Sequence, residues 1–330
     1  MDEDKRIVLT GGAGFIGSAV LRHLNNRGFT NIVVVDNLGM KEKWKNLVGK
    51  QFVDIIHKDN LFSWLVGKEQ EIEAFIHLGA CSSTTEFDAN YLLENNYRYT
   101  QRLCEYALEN NHRFIYASSA ATYGDGSRGF SDDQNQLENL RALNMYGYSK
   151  HLFDLWAKRE GVLGRIVGLK YFNIYGPNEA HKGSMASAIV KMVPKALEEG
   201  VIQLFKYRPS SAEPDRYPDG EQCRDFLYVK DCARMTCAFL ERKDVNGIFN
   251  IGQGHPYTWN YLAKTVFNAL NLPVNIEYID MPEELIGKYQ NYTCAEMDKY
   301  EKAFPEYQVM PLEDAVFDYV RSYIIPEKRW

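Results

Sequence analysis

TGGAGFIGS, residues 10–18, sets Gly11, Gly14 and Gly17 three residues apart, between a β-branched run at 7–10 and a stretch of helical apolar spacing at 15–25. A strand that turns on glycines into a helix makes a cradle for phosphate. The backbone can come close where no Cβ intrudes, and the helix N-terminus offers free N–H groups and a partial positive charge. In that context Gly11, Gly14 and Gly17 read as a dinucleotide-binding turn around a pyrophosphate. The next β-branched run, 32–35, ends at Asp36, where a carboxylate can hydrogen-bond ribose hydroxyls and favours NAD. Asn37, Lys43 and Lys58 follow closely enough for a cation to neutralise a 2′-phosphate, so NAD and NADP both stay open.

Working outward, further continuous apolar runs fall at 52–56, 74–78, 113–117 and 166–169, with helical patterns at 91–109 and 148–158. Buried strands separated by helices mean a parallel sheet covered on both faces, because each parallel step needs a crossover. The fold class expected is α/β: a Rossmann-like doubly wound parallel sheet over 1–172, then a smaller α/β substrate-binding lobe over 173–330. After about residue 171 the pattern loosens into loops rich in Gly, Pro and Ser, with a polar stretch at 209–222. The runs at 225–229 and 248–251 can return to the main sheet, which would make the two lobes interdependent.

The 330 residues carry 38 Lys+Arg against 44 Asp+Glu, a formal charge of −6. That is not the basic excess of a nucleic-acid binder, and no nucleic-acid partner is expected. No run approaches the roughly 18 apolar residues of a membrane span. The first residues alternate in charge with no apolar leader, so neither membrane nor secretion is expected. The six cysteines, Cys81, Cys104, Cys223, Cys232, Cys237 and Cys294, form no C-x-x-C pair and no cluster with His at zinc spacing. Reduced thiols in the cytoplasm, and no metal, are the expectation.

Of the 22 tyrosines only Tyr146 has a lysine four residues on, Lys150, and the pair opens a helical pattern, so both side chains share one face. An ammonium there favours the phenolate, and removing hydride from a carbinol carbon needs a group that takes the hydroxyl proton. A hydroxyl should close the preceding strand, where ligands sit in such sheets. YASSAATYG (116–124) supplies Ser118 and Ser119. The glycine spacing and this Ser, Tyr, Lys set resemble the extended short-chain dehydrogenase/reductase superfamily, and the resemblance, matched by counting back from Tyr123, implies Ser119 as the functional hydroxyl and leaves Ser118 structural. His77 in HLGA reads as a packed, hydrogen-bonded residue. Members that dehydrate a sugar carry an acidic pair after the serine; Ala120, Ala121 and Thr122 stand there, which disfavours elimination.

GACSSTTE (79–86), ASSAATYG (117–124), YGYSK (146–150), YFNIYGP (171–177) and above all HKGSMAS (181–187) resemble one family, ADP-L-glycero-D-manno-heptose 6-epimerase of the bacterial lipopolysaccharide pathway, over nearly the whole chain. The resemblance implies oxidation of heptose C6 to a ketone with a tightly held NADP, presentation of the other face, and return of the hydride. It implies two acid/base groups, Tyr146 and Lys182. Around the cofactor it places Phe15, Ile16, Leu78, Gly79, Ala80, Cys81, Ser82, Asn95, Lys150, Ile174 and Lys182. Around the ADP-heptose it places Ser119, Asn173, Ser184, Lys191, Phe205, Lys206, Tyr207, Arg208, Arg224 and Tyr289. It also implies a homo-oligomeric ring, with a pentamer as the number to test.

Lys150, Lys182, Lys191 and Arg224 are thus expected to converge on an anionic ligand. Three departures stand out: Lys191 replaces the family's usual histidine, Leu78 its frequent glutamate, and the 210–222 loop is longer. A UDP-hexose 4-epimerase is a second reading, weakened by HKGSMAS. An NAD(P)-sensing binding protein is a third, weakened because Tyr146 and Lys150 are both present.

Overall fold

The computed structural model describes residues 4–208, 217–283 and 290–330. In chain order its strands are β1 (Arg6–Thr10), β2 (Ile32–Asp36), β3 (Asp54–His57), β4 (Ile72–His77), β5 (Arg113–Ser119), β6 (Val167–Tyr171), β7 (Asn173–Tyr175), β8 (Ile202–Phe205), β9 (Cys223–Tyr228), β10 (Gly247–Ile251), β11 (Pro256–Thr258) and β12 (Ile276–Ile279). The helices are α1 (Phe15–Asn26), α2 (Leu61–Leu65), α3 (Ala89–Leu92), α4 (Tyr99–Glu109), α5 (Met145–Arg159), α6 (Ala188–Glu198), α7 (Val229–Glu241), α8 (Trp259–Leu270), α9 (Asp298–Ala303) and α10 (Leu312–Tyr319).

The central sheet has seven strands in the order β10-β6-β5-β4-β1-β2-β3, every pair parallel. This is the expected α/β doubly wound sheet. Most of its strands are buried and largely apolar because helices cover both faces: all five residues of β2 are buried, as are all five of β6 and of β10. Each such Val, Ile or Leu contributes about 1.5–3 kcal/mol by leaving water. Strand order reverses between β1 and β4, so their carboxyl ends open a crevice where ligands bind in such sheets.

The run read at 52–56 forms a strand two residues later, β3, at the sheet edge. Three of its four residues are exposed there, so apolar content marks it poorly. The helical pattern at 91–109 is one continuous rod from α3 to α4, joined by a π-helical turn at Leu93–Arg98. Of the two runs able to return to the main sheet, 248–251 does so as β10. The 225–229 run does not: as β9 it lies between β7 and β11 in a separate three-stranded sheet. β8 and β12 form a third, two-stranded sheet. The chain after residue 173 therefore supplies an edge strand of the main sheet, and one apolar core runs through both halves.

Candidate active site

The β1–α1 turn is shaped by close approaches. Gly11 has φ +70°, and a Cβ there would lie 2.7 Å from the Gly79 nitrogen at the end of β4. A Cβ on Gly17 would lie 2.0 Å from the Gly11 carbonyl oxygen. Helix α1 starts with Gly14 as N-cap, no side chain capping it and no acid in its first turn. Its N–H groups and the space where a Cβ would stand fit a pyrophosphate, so the residues present fit a dinucleotide. Asp36, buried at the end of β2, accepts from the Ala13 N–H (2.9 Å) and the Asn37 N–H (2.7 Å), and pairs with Lys43. A cation thus sits at the buried carboxylate that ends β2.

The β4 end is fixed by a buried histidine. His77 Nδ1 lies 2.6 Å from Thr10 Oγ1 and its Nε2 2.9 Å from Thr100 Oγ1, while Thr10 Oγ1 also accepts from the Gly79 N–H at 3.0 Å. Burial drives the imidazole down to about 3, so it stays neutral and structural. The π turn places Asn96 beneath the 79–82 loop. Its Oδ1 accepts from the Cys81 N–H (2.8 Å), and its Nδ2 donates to the Cys81 carbonyl (2.9 Å) and to Ser149 Oγ on α5 (3.0 Å).

Asn144 caps α5, accepting from the Gly147 N–H at 2.8 Å, which starts the helix before the expected 148 and puts Tyr146 in its first turn. A Cβ on Gly147 would meet the Ala121 oxygen at 2.7 Å, so the helix start presses on the turn Ala120–Tyr123 that follows β5. That contact brings Tyr146 into hydrogen bonding with Ser119. Ser118 points the other way, donating to Asp154 at 2.7 Å, as a structural residue does.

Burial raises the Tyr146 hydroxyl above its ordinary value, and the Ser119 hydrogen bond opposes that rise. The net shift is therefore upward, against the expected depression of Tyr146 by its lysine, because the cost of burying a phenolate dominates. Lys150 itself, 4% exposed, is lowered to about 8 by burial, with Asp154 on the same helix face pulling it up. Asp154 also accepts from Tyr116 (2.8 Å) and Lys170 (2.8 Å), a buried cluster against α5.

Lys182 comes from the short turn Ala180–Met185. Its Nζ lies 5.3 Å from the centre of the Phe15 ring, and burial lowers its affinity for a proton while Glu179 raises it. Glu179, fully buried, closes the base of that turn: it accepts from Gly176 N–H (3.2 Å), Ser187 N–H (2.6 Å), Ser187 Oγ (2.6 Å) and Tyr319 (2.9 Å).

One cleft of about 1160 Å³ gathers these parts. Its walls include Gly11, Gly14, Phe15, Ile16, Gly17, Asp36, Asn37, Lys43, Lys58, Leu78, Gly79, Ala80, Cys81, Ser82 and Asn95, with Ser119, Tyr146, Lys150, Asn173, Ile174 and Lys182. Other residues carried over from the family lie outside those walls. Ser184 is exposed on the outer side of its turn, and its carbonyl accepts from Lys191 at 2.8 Å. Phe205, Lys206, Tyr207 and Arg208 follow or end β8, in its separate sheet, where Lys206 pairs with Asp280 at 3.1 Å. Arg224 is buried behind Trp259, 5.8 Å from its ring, and Trp259 lines the cleft.

Of the four cations expected to converge, Lys150 and Lys182 line the cleft with Lys43 and Lys58, whereas Lys191 and Arg224 are not among its wall residues, although Ala188 of α6 and Phe226 of β9 are. Tyr289 and most of the 210–222 loop fall outside the described residues. The sequence reading also missed wall residues. Thr84, Thr85 and Glu86 lie within the GACSSTTE string and Phe87 and Tyr91 just beyond it, a signal present in the sequence; Trp259, Gln290 and Thr293 carry no local motif. Among the described residues no cluster of His, Cys, Asp or Glu could hold a metal ion, and no helix is long and apolar enough to cross a membrane.

A glycine-turned crevice with Ser, Tyr and Lys at its floor defines an extended short-chain dehydrogenase/reductase, and residues 7–252 match the NAD dependent epimerase/dehydratase family. The chain belongs to that family and uses a nicotinamide cofactor. Within it the chain is 53% identical over 319 residues to an ADP-L-glycero-D-manno-heptose-6-epimerase of Nitratidesulfovibrio vulgaris strain DP4, covering 96% of this chain and 97% of that protein. It belongs with those epimerases and is an isomerase. The crystal structure of the ADP-L-glycero-D-manno-heptose-6-epimerase from Helicobacter pylori superposes with TM-score 0.79 at 25% identity, over 98% of each chain. A UDP-N-acetylglucosamine 4-epimerase from Methanobrevibacter ruminantium superposes at 0.80 with 24% identity, over 98% of this chain and 99% of that one, a likeness of fold.

Proposed function

We propose that this epimerase inverts C6 of ADP-D-glycero-D-manno-heptose, with NADP as the hydride carrier and Tyr146 and Lys182 as the two acid/base groups. The observation that carries the reading is that Tyr146 and Lys182, from elements far apart in the chain, line one cleft with the glycine turn. When bound, the nicotinamide supplies a carrier that accepts the C6 hydride and gives it back. One of the two groups takes the C6 hydroxyl proton as hydride leaves, producing a ketone. The ketone then presents its other face, and the second group gives a proton to the oxygen as hydride returns. Ser119 steadies the reacting oxygen, and Lys150 would hold the nicotinamide ribose. Absence of an acid at 120–122 favours hydride return over elimination.

Lys43 beside Asp36, with Lys58 lining the same cleft, supports NADP over NAD, since a 2′-phosphate would meet cations there. The nucleotide end would run past Trp259 towards Arg224, Lys191 and residues 205–208, where guanidinium and ammonium groups can pair with phosphates. The family likeness further supports a cytoplasmic homo-oligomer, a ring, working in lipopolysaccharide precursor synthesis; sedimentation of the purified protein gives the copy number. To test the reaction, the protein is incubated with ADP-heptose and with UDP-hexoses and the products are read by NMR. Inversion of the heptose at C6 is expected; conversion of a UDP-hexose alone would overturn the assignment. Mass spectrometry of the released cofactor separates NADP from NAD.

A further inference from the structure

The turn that carries Lys182 is exposed at Gly183 and Ser184, and Gly183 has φ +57°. Glu179 ties its base, but a carboxylate at the base leaves the flank free to swing. A side chain that must meet a proton within hydrogen-bond reach cannot swing: about 1 Å of misplacement can cost a hundredfold in rate. The flank is held by two asparagines that no catalytic motif includes. Asn46, 1% exposed, donates to the Ala13 carbonyl of the glycine turn and to the Asn178 carbonyl, both at 3.0 Å, and lies 3.2 Å from His181 Nδ1. Asn178, held at φ +79°, donates to Ser18 Oγ on α1 at 3.1 Å, and its carbonyl lies 3.0 Å from His181 Nδ1.

The same two side chains are gripped by the last stretch of sequence. Arg329 Nε donates to Asn46 Oδ1 at 3.1 Å. Trp330 donates its N–H to Asn178 Oδ1 at 2.9 Å and accepts from Asn178 Nδ2 at 3.1 Å; Lys50 donates to the same Trp330 oxygen. The Trp330 ring is anchored in turn, 5.5 Å from Lys230 Nζ, which pairs with Asp318 at 2.6 Å. We propose that Arg329 and Trp330, acting through Asn46 and Asn178, are positioning residues that lock the His181–Lys182 turn to the glycine turn, so that the second acid/base keeps register with the cofactor's seat. The inference rests on Lys182 being that second group.

A strap that serves only stability would slow the enzyme on both epimers alike. A strap that positions Lys182 affects one configuration of the hydroxyl, because Tyr146 serves the other. The test uses the holoenzyme with its own cofactor, supplied separately with each C6 epimer of ADP-heptose, and follows single-turnover formation of reduced nicotinamide by absorbance. Asn178→Gly keeps the positive φ and removes the amide; Arg329→Ala alters a half-exposed side chain and decides the matter if the first variant fails to fold.

Formation of reduced nicotinamide is expected to fall at least roughly tenfold with one epimer and to hold with the other, with cofactor content and thermal midpoint retained. Lys182→Met should show the same asymmetry, and adding Asn178→Gly to it should cost nothing more. Equal slowing of both epimers, or no slowing, in the two strap variants while Lys182→Met remains asymmetric overturns the strap. Absence of asymmetry in Lys182→Met itself overturns the two-group reading instead.

Discussion

The two walls of the cleft are built differently. One is made of strand ends and helix starts: the glycine turn, the Asp36 end of β2, the His77 end of β4 and the first turn of α5. The other is made of turns and short elements after residue 173, pinned by single buried side chains such as Glu179 and Asn178. The first is held by a sheet whose opening would cost the whole fold. The second is held by a handful of hydrogen bonds, so the placement of the side chains it carries depends on each of them. The difference predicts where substitutions act on chemistry, where on cofactor, and where on stability.

The largest effects should come from the acid/base group proposed for each wall. Tyr146→Phe and Lys182→Met should each depress epimerisation about a hundredfold to ten-thousandfold while cofactor stays bound; steady-state rates and cofactor content check this. Near wild-type inversion by Lys182→Met would remove the second wall from the chemistry. Gly17→Ala attacks the first wall sterically, with its Cβ 2.0 Å from the Gly11 oxygen. It should cost about 1–3 kcal/mol of stability and strip the cofactor, both visible by calorimetry and absorbance.

Lys150→Met should weaken cofactor binding as well as rate. In the wild type, Lys150 titrates near 8, so the rate should decline as pH rises past that value and the ammonium is lost. His77 sharpens the contrast through stability. Its folded value near 3 against an ordinary 6.5 means that the unfolded chain binds the extra proton between those values. Stability is then lost as pH falls from 6.5 towards 3, by up to a few kcal/mol, and His77→Gln should flatten that acid limb in urea titrations. The smallest effect expected is Lys43→Ala, which should reduce NADP affinity roughly tenfold, the size of one charge-assisted hydrogen bond, and NAD affinity little.

Legibility divides along the same line. The sheet could be read because strands buried on both faces are unbroken apolar runs, and the glycine turn, Asp36 and the Tyr146–Lys150 pair are short-range patterns with a physical reason for their spacing. β3 was displaced because an edge strand exposes Asp54, Ile55 and His57. The 225–229 run was ambiguous because an apolar run states burial and not the partner strand. Asn46, Asn96 and Asn178 read as ordinary loop or helix polar residues, since what defines them is a partner dozens of positions away. Ser184, Lys191, Arg224 and residues 205–208 came from family likeness alone, and the structure puts them outside the cleft walls that the motifs define.

The central claim is that C6 is inverted by a hydride that leaves and returns within one cleft. ADP-D-glycero-D-manno-heptose carrying deuterium at C6, turned over by the holoenzyme in ordinary water, tests it directly by NMR and mass spectrometry of the product. The account predicts the inverted heptose with deuterium still at C6. Inversion with loss of the label to solvent, or no inversion by protein holding full cofactor, would contradict it.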